Sequence, residues 1–118
     1  MKTRITVTKS DFTQENSIIF DGIGEYHYPI LRYIEDDLLE NIITIYDQGI
    51  KLERYGQEYS LCGMLLKNEM TKLTLINELG ELCIDAYTSD YLYKNNIIKI
   101  IYTINNEKAH FTFEIKEK

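Results

Sequence analysis

The chain has no tryptophan, a single proline (Pro29), six glycines and two cysteines in 118 residues. So little proline and glycine excludes a collagen-like repeat and a disordered, Pro/Gly-rich polymer. Two cysteines are too few for a disulfide-stapled scaffold. Without an export signal, Cys62 and Cys83 are expected as reduced, mostly buried thiols. Positive charge is scarce as well: 13 Lys and Arg stand against 19 Asp and Glu, a formal net charge of −6. Nucleic acids and anionic membranes need a basic face. The dense basic spots are Lys2/Arg4 and Lys116/Lys118, so neither partner is expected. No run approaches the ~18 apolar residues of a membrane helix. The first ten residues, MKTRITVTKS, alternate rather than form the apolar core of a signal peptide. The expectation is one cytoplasmic domain over 1–118, long enough to bury a core.

What is present is a period of two, the mark of half-buried strands. Ile5 and Val7 alternate with Arg4, Thr6 and Thr8. Further strands are predicted at 17–28, 30–36, 42–47, 50–55, 58–67 (broken by Gly63), 70–77, 81–87, 97–104 and 109–116. DFTQEN (11–16) reads as a polar turn, Tyr28-Pro29 as a tight turn, DDLLEN as a loop, and TSDYLYKNN as a longer connection. Ile34, Leu38 and Leu39 hint at one helical turn. Turn signals about every eight to twelve residues fit an all-β sandwich or barrel. Parity assigns an interior containing Leu73, Leu75, Leu82, Ile84, Ala86, Ile98, Ile100, Tyr102, Ile104, Phe111, Phe113 and Ile115. Tyr87 and Ile101, with Ile43 and Ile45, are expected to form an exposed apolar patch.

FDGIGEYHYP (20–29) carries two glycines one residue apart. A phosphate-binding loop needs a helix after the glycines, and EYHYPILRY is β-prone. The pair therefore marks a bend, a place where a strand coils or turns a barrel corner.

Catalytic and metal-binding patterns are missing. His27 and His110 lie on separate strands, with no H-x-x-x-H, C-x-x-C or G-x-S-x-G. Glu35-Asp36-Asp37 reads as a solvated loop. No catalytic residue, metal ligand or cofactor is assigned, and an enzyme is not expected. Arg54 stands out because it shares parity with Ile50 and Leu52 and so points inward. Glu35, in phase with Leu31 and Tyr33, is its expected partner near one barrel mouth. The arginine is either structural, in an internal ion pair fixing strand register or snorkelling to the rim, the reading the residues favour, or a fork for a ligand carboxylate or phosphate.

With the strands placed, the order and spacing of several short motifs resemble the YwiB-like family of bacterial proteins of unknown function. These are F-x-x-x-G-x-Y at Phe20, Gly24 and Tyr26, Y-x-E-D at Tyr33, Glu35 and Asp36, and R-x-G at Arg54 and Gly56. G-E-L follows at Gly80, Glu81 and Leu82, then the paired strands IKIIYTINNEKAHFTFEI. Tyr28-Pro29 departs from the pattern by shortening one hairpin. The resemblance implies a single-domain antiparallel calycin-like (lipocalin-like) β-barrel of about eight to ten strands, and no activity. On that fold the expected function is a non-catalytic module binding a small amphipathic ligand at a barrel mouth. Arg54, Tyr33, Glu35 and Tyr102 would hold its polar head, and Leu52, Leu73, Leu82, Ile100 and Phe113 its apolar part. The alternative is a filled barrel that self-associates or docks a protein through Tyr46, Tyr55, Tyr59, Tyr91 and Tyr93.

Overall fold

Alternating residues become alternating faces of one continuous sheet. The computed structural model describes residues 2–10, 16–36 and 38–117. They form ten strands: β1 (Lys2–Ser10), β2 (Asn16–His27), β3 (Ile30–Glu35), β4 (Leu39–Ile45), β5 (Gly49–Tyr55), β6 (Tyr59–Leu66), β7 (Met70–Asn77), β8 (Gly80–Lys94), β9 (Ile97–Ile104) and β10 (Glu107–Glu117). Each strand pairs antiparallel with its neighbours in the chain, and β1 pairs with β10, closing a barrel. Closure removes most of the unpaired edge that an open sheet of this length would expose. Among the described residues no helix is long and apolar enough to cross a membrane. The polar turn expected at 11–15 lies outside the described residues, and Asn16 already belongs to β2.

Local chemistry explains the hairpins. Asn95-Asn96 and Asn105-Asn106 all have positive φ, between 52° and 65°. Two such residues in a row match the twist of the flanking strands, and asparagine adopts this conformation more readily than most side chains. Ile104 and Glu107 therefore pair directly, and β10 starts two residues earlier than expected. After β3, the Leu38 N–H donates to the Glu35 carbonyl at 3.2 Å, so the hinted helical turn is a single tight turn.

Inward residues fill the lumen: Ile5, Val7, Leu31, Ile43, Ile50, Leu65, Ile98 and Ile100 are all at most 1% exposed. Each contributes ~1.5–3 kcal/mol by leaving water. Ile43 and Ile45 are thus core residues and not part of an outer patch. Parity groups Ile43 with Ile45 against Ile42 and Thr44, but does not by itself say which group faces the lumen. The register opposite Leu31, Leu52 and Ile50 does.

Strand β8 differs most from expectation. TSDYLYK is not a connection; it continues the strand to Lys94. A register shift between Thr88 and Asp90 bends β8, which pairs with β7 over Gly80–Tyr87 and with β9 over Tyr87–Lys94. The β7–β8 hairpin therefore runs past its β9 neighbour. On it Leu79 is 91% exposed and Leu82 58% exposed, so Leu82 does not face the lumen core. Cys83 is also exposed and Cys62 half-buried; both are free thiols, and neither is the buried core residue expected.

Gly22 and Gly24 lie inside β2 and not in a phosphate loop. The strand coils there. It pairs with β1 over most of its length, but with β3 only through Glu25, Tyr26 and His27. A Cβ on Gly24 would sit 2.3 Å from Ile5 Cδ1 and 2.4 Å from the Arg32 carbonyl oxygen. The missing side chain is what lets β2 and β3 cross so closely at this corner.

Candidate functional site

The two ends of the lumen are built differently. Toward the turn between β2 and β3 it is closed by tyrosines. The Tyr26 and Tyr93 hydroxyls hydrogen-bond each other, and Tyr91 donates to the Tyr46 carbonyl at 2.9 Å. Tyr28 stacks on Tyr93 at 5.8 Å. Tyr91 and Tyr93, expected as docking anchors, are instead part of this closure, because β8 continues inward past Thr88. Tyr46 and Tyr55 are exposed, and Tyr59 is half-buried.

Toward the opposite end lies a cavity of about 50 Å³. Its lining includes Tyr33, Glu35, Asn41, Leu52, Arg54 and Tyr102. The four residues singled out from the sequence, Arg54, Tyr33, Glu35 and Tyr102, thus share one space. Of the expected apolar wall, Leu52, Ile100 and Phe113 line it, while Leu73 is buried elsewhere in the core and Leu82 lies on the projecting hairpin. The volume holds roughly three to five water-sized spheres, far below the ~300–1,000 Å³ of pockets that enclose a drug-sized ligand. Large aliphatic and aromatic side chains fill the rest.

Strand register assembles the polar group. Tyr33 pairs with Asn41, Asn41 with Arg54 and Arg54 with Leu61, so three polar residues occupy one level of neighbouring strands. Arg54 Nη2 lies 3.7 Å from Glu35 Oε1. Asn41 Nδ2 donates to the same oxygen at 3.2 Å and to the Leu39 carbonyl at 3.3 Å. The inward pairing of Arg54 and Glu35 is therefore present, but as a long single contact and not the two-pronged fork of a strong arginine–carboxylate pair. Arg54 Nε is buried and meets no acceptor among the described residues. A buried donor left in this way costs on the order of 1–3 kcal/mol.

The two tyrosines are proton donors at neutral pH. Burial pushes the Tyr33 hydroxyl well above the ordinary phenol range, the Glu35 charge adds to this, and Arg54 opposes it. Burial likewise raises Tyr102 to about 12, against a lowering by Arg54. Tyr102 stacks on Phe111 with centroids 5.6 Å apart and ring planes within 4°, and Phe111 continues to Phe113 at 6.3 Å.

Sequence reasoning missed two members of this end. Asn41 is 1% exposed and braces Glu35; its place in phase with Ile43 and Ile45 was the available signal. Lys9 sets its Nζ 5.7 Å from the Phe111 ring centroid. It shares parity with Ile5 and Val7, as an inward residue reaching the rim must. Among the described residues no three His, Cys, Asp or Glu side chains are grouped so as to hold a metal ion. His27 and His110 are exposed on β2 and β10.

No protein-family model matches the chain, and no curated protein matches its sequence. Its fold is similar to that of the YwiB protein from Bacillus subtilis, known from a crystal structure. The TM-score is 0.73 and the identity 16%, covering 99% of this chain and 90% of the other.

Proposed function

We propose that this barrel is a non-catalytic module that binds a small amphipathic ligand at the mouth holding Arg54. The polar head would rest on Arg54, Tyr33, Glu35 and Tyr102, and the apolar part on Leu52, Ile100, Phe111 and Phe113. One observation carries the reading: a buried arginine nitrogen with no acceptor among the described residues, facing a cavity shared with two protonated phenols. An arginine needed only for register would gain by closing tightly on Glu35, and it stands off at 3.7 Å. The cavity's size limits the lumen to the head of such a ligand, with the remainder at the rim. The test is native mass spectrometry of protein purified from its host. The wild type should carry one small molecule, and Arg54→Met should bind it at least about tenfold more weakly. Wild-type protein that repeatedly flies without a bound molecule would defeat the proposal.

A second reading, self-association, draws on the filled lumen and on β8. Residues Gly80–Ala86 pair with β7, and none of them pairs with β9. Exposed Ile76, Leu79 and Leu82 accompany this edge. A second copy adding its own β8 would pair the backbone groups and cover these side chains. Sedimentation should then show a dimer that Leu79→Glu with Leu82→Glu converts to monomer. A wild type that stays monomeric across concentrations removes this reading.

A further inference from the structure

We infer that the ligand's polar head is a carboxylate, borne on a small flat apolar body and received between Arg54 and Lys9. The inference rests on the binding reading above and specifies the chemistry of that same mouth. Charge comes first. In a chain of net charge −6, the charged residues lining this cavity are Arg54 and Glu35, and Lys9 stands over Phe111 at its rim. A monoanion would be met by the buried Nε of Arg54 and by Lys9. A cationic head would meet Arg54 and Lys9 at once, and a dianion would leave a negative charge in a largely apolar space.

Geometry narrows the anion. Arg54 presents a planar fork of which one arm makes a long contact with Glu35 and Nε makes none. A planar carboxylate matches that fork. Glu35 Oε1 already accepts from Asn41. The Tyr33 and Tyr102 hydroxyls, both protonated, can donate to an anion, and among the described residues no hydroxyl donates to Glu35. The cavity of about 50 Å³ accepts a carboxylate and excludes a long tail. The body must therefore lie against what flanks the cavity, the parallel series Tyr102, Phe111 and Phe113. Flat rings favour a flat neighbour, stacked with an offset or edge-on.

The intact protein should be titrated calorimetrically with benzoate, benzyl alcohol, benzylamine and cyclohexanecarboxylate. Benzoate should bind at least about tenfold more tightly than benzyl alcohol, and benzylamine should give no signal. Cyclohexanecarboxylate should fall between benzoate and the alcohol. Lys9→Gln, an exposed position that leaves the core intact, should weaken benzoate about two- to fivefold and reduce its salt dependence, without changing benzyl alcohol. Benzyl alcohol or benzylamine binding as tightly as benzoate would overturn the carboxylate assignment. Equal binding of cyclohexanecarboxylate would overturn the flat body, and an unaffected Lys9→Gln the role of Lys9. If none of the four binds while host-purified protein carries a small molecule, this inference falls and the binding module stands. If the host-purified protein is also empty, the module itself falls.

Discussion

Gly24→Ala should destabilise the barrel by about 2–4 kcal/mol, whereas Gly22→Ala, two residues away on the same strand, should cost under about 1 kcal/mol. The positions look alike in sequence, each a glycine in a β run. Their surroundings differ. A methyl at Gly24 would stand 2.3 Å from Ile5 Cδ1, 2.4 Å from the Arg32 carbonyl oxygen and 3.1 Å from Tyr33 Cβ. Arg32 O belongs to β3 backbone and does not move away without shifting that strand, and Ile5 Cδ1 has to re-rotate inside the closed core. At Gly22 the nearest atom is Phe20 Cζ at 3.0 Å, the far end of a half-buried ring that can rotate or tilt. Urea unfolding of both variants beside wild type measures the difference. Equal midpoints for the two would show that the corner does not depend on the close approach of β3.

Ile43→Ala should lose about 2–5 kcal/mol, while Leu82→Ala should stay within about 0.5 kcal/mol of wild type. Ile43 is fully buried opposite Leu31 and Leu52, and removing three carbons leaves a cavity among neighbours fixed by their strands. Leu82 is 58% exposed on the β7–β8 hairpin, beyond the pairing to β9. Sequence reading ranks the two in the opposite order, which makes the comparison a direct check of the barrel's register. Thermal or urea melts suffice. A Leu82→Ala loss comparable to that of Ile43→Ala would mean that the hairpin folds back over the barrel end.

The contrast between these residues shows where pattern stops being informative. In β9 and β10 one face is strongly apolar and the turns are Asn-Asn or end there, so strand position and inward residues were readable. In β4 parity groups Ile43 with Ile45 and puts Ile42 with Glu40 and Thr44, and the neighbours' register turns the first group inward. In β8 polar Thr88, Ser89 and Asp90 open the stretch TSDYLYKNN, which reads as a connection, but the register shift near them lets one strand change partners and continue. For the candidate site, the inward direction of Arg54 and its approach to Glu35 followed from parity. Asn41 and Lys9 obey the same parity and were overlooked because an inward asparagine or lysine has meaning only beside the groups it meets.

Local chemistry thus dictates the strands, the turns and most of the choice between lumen and solvent, because side-chain alternation is a property of the backbone and is written residue by residue. Assembly of distant strands decides three further things: where the cylinder closes, which hairpin runs past its neighbours, and that a buried Arg54 nitrogen meets no acceptor among the described residues beside a small cavity. Each depends on the relative lengths and offsets of strands far apart in the chain, and no short window of residues contains that quantity.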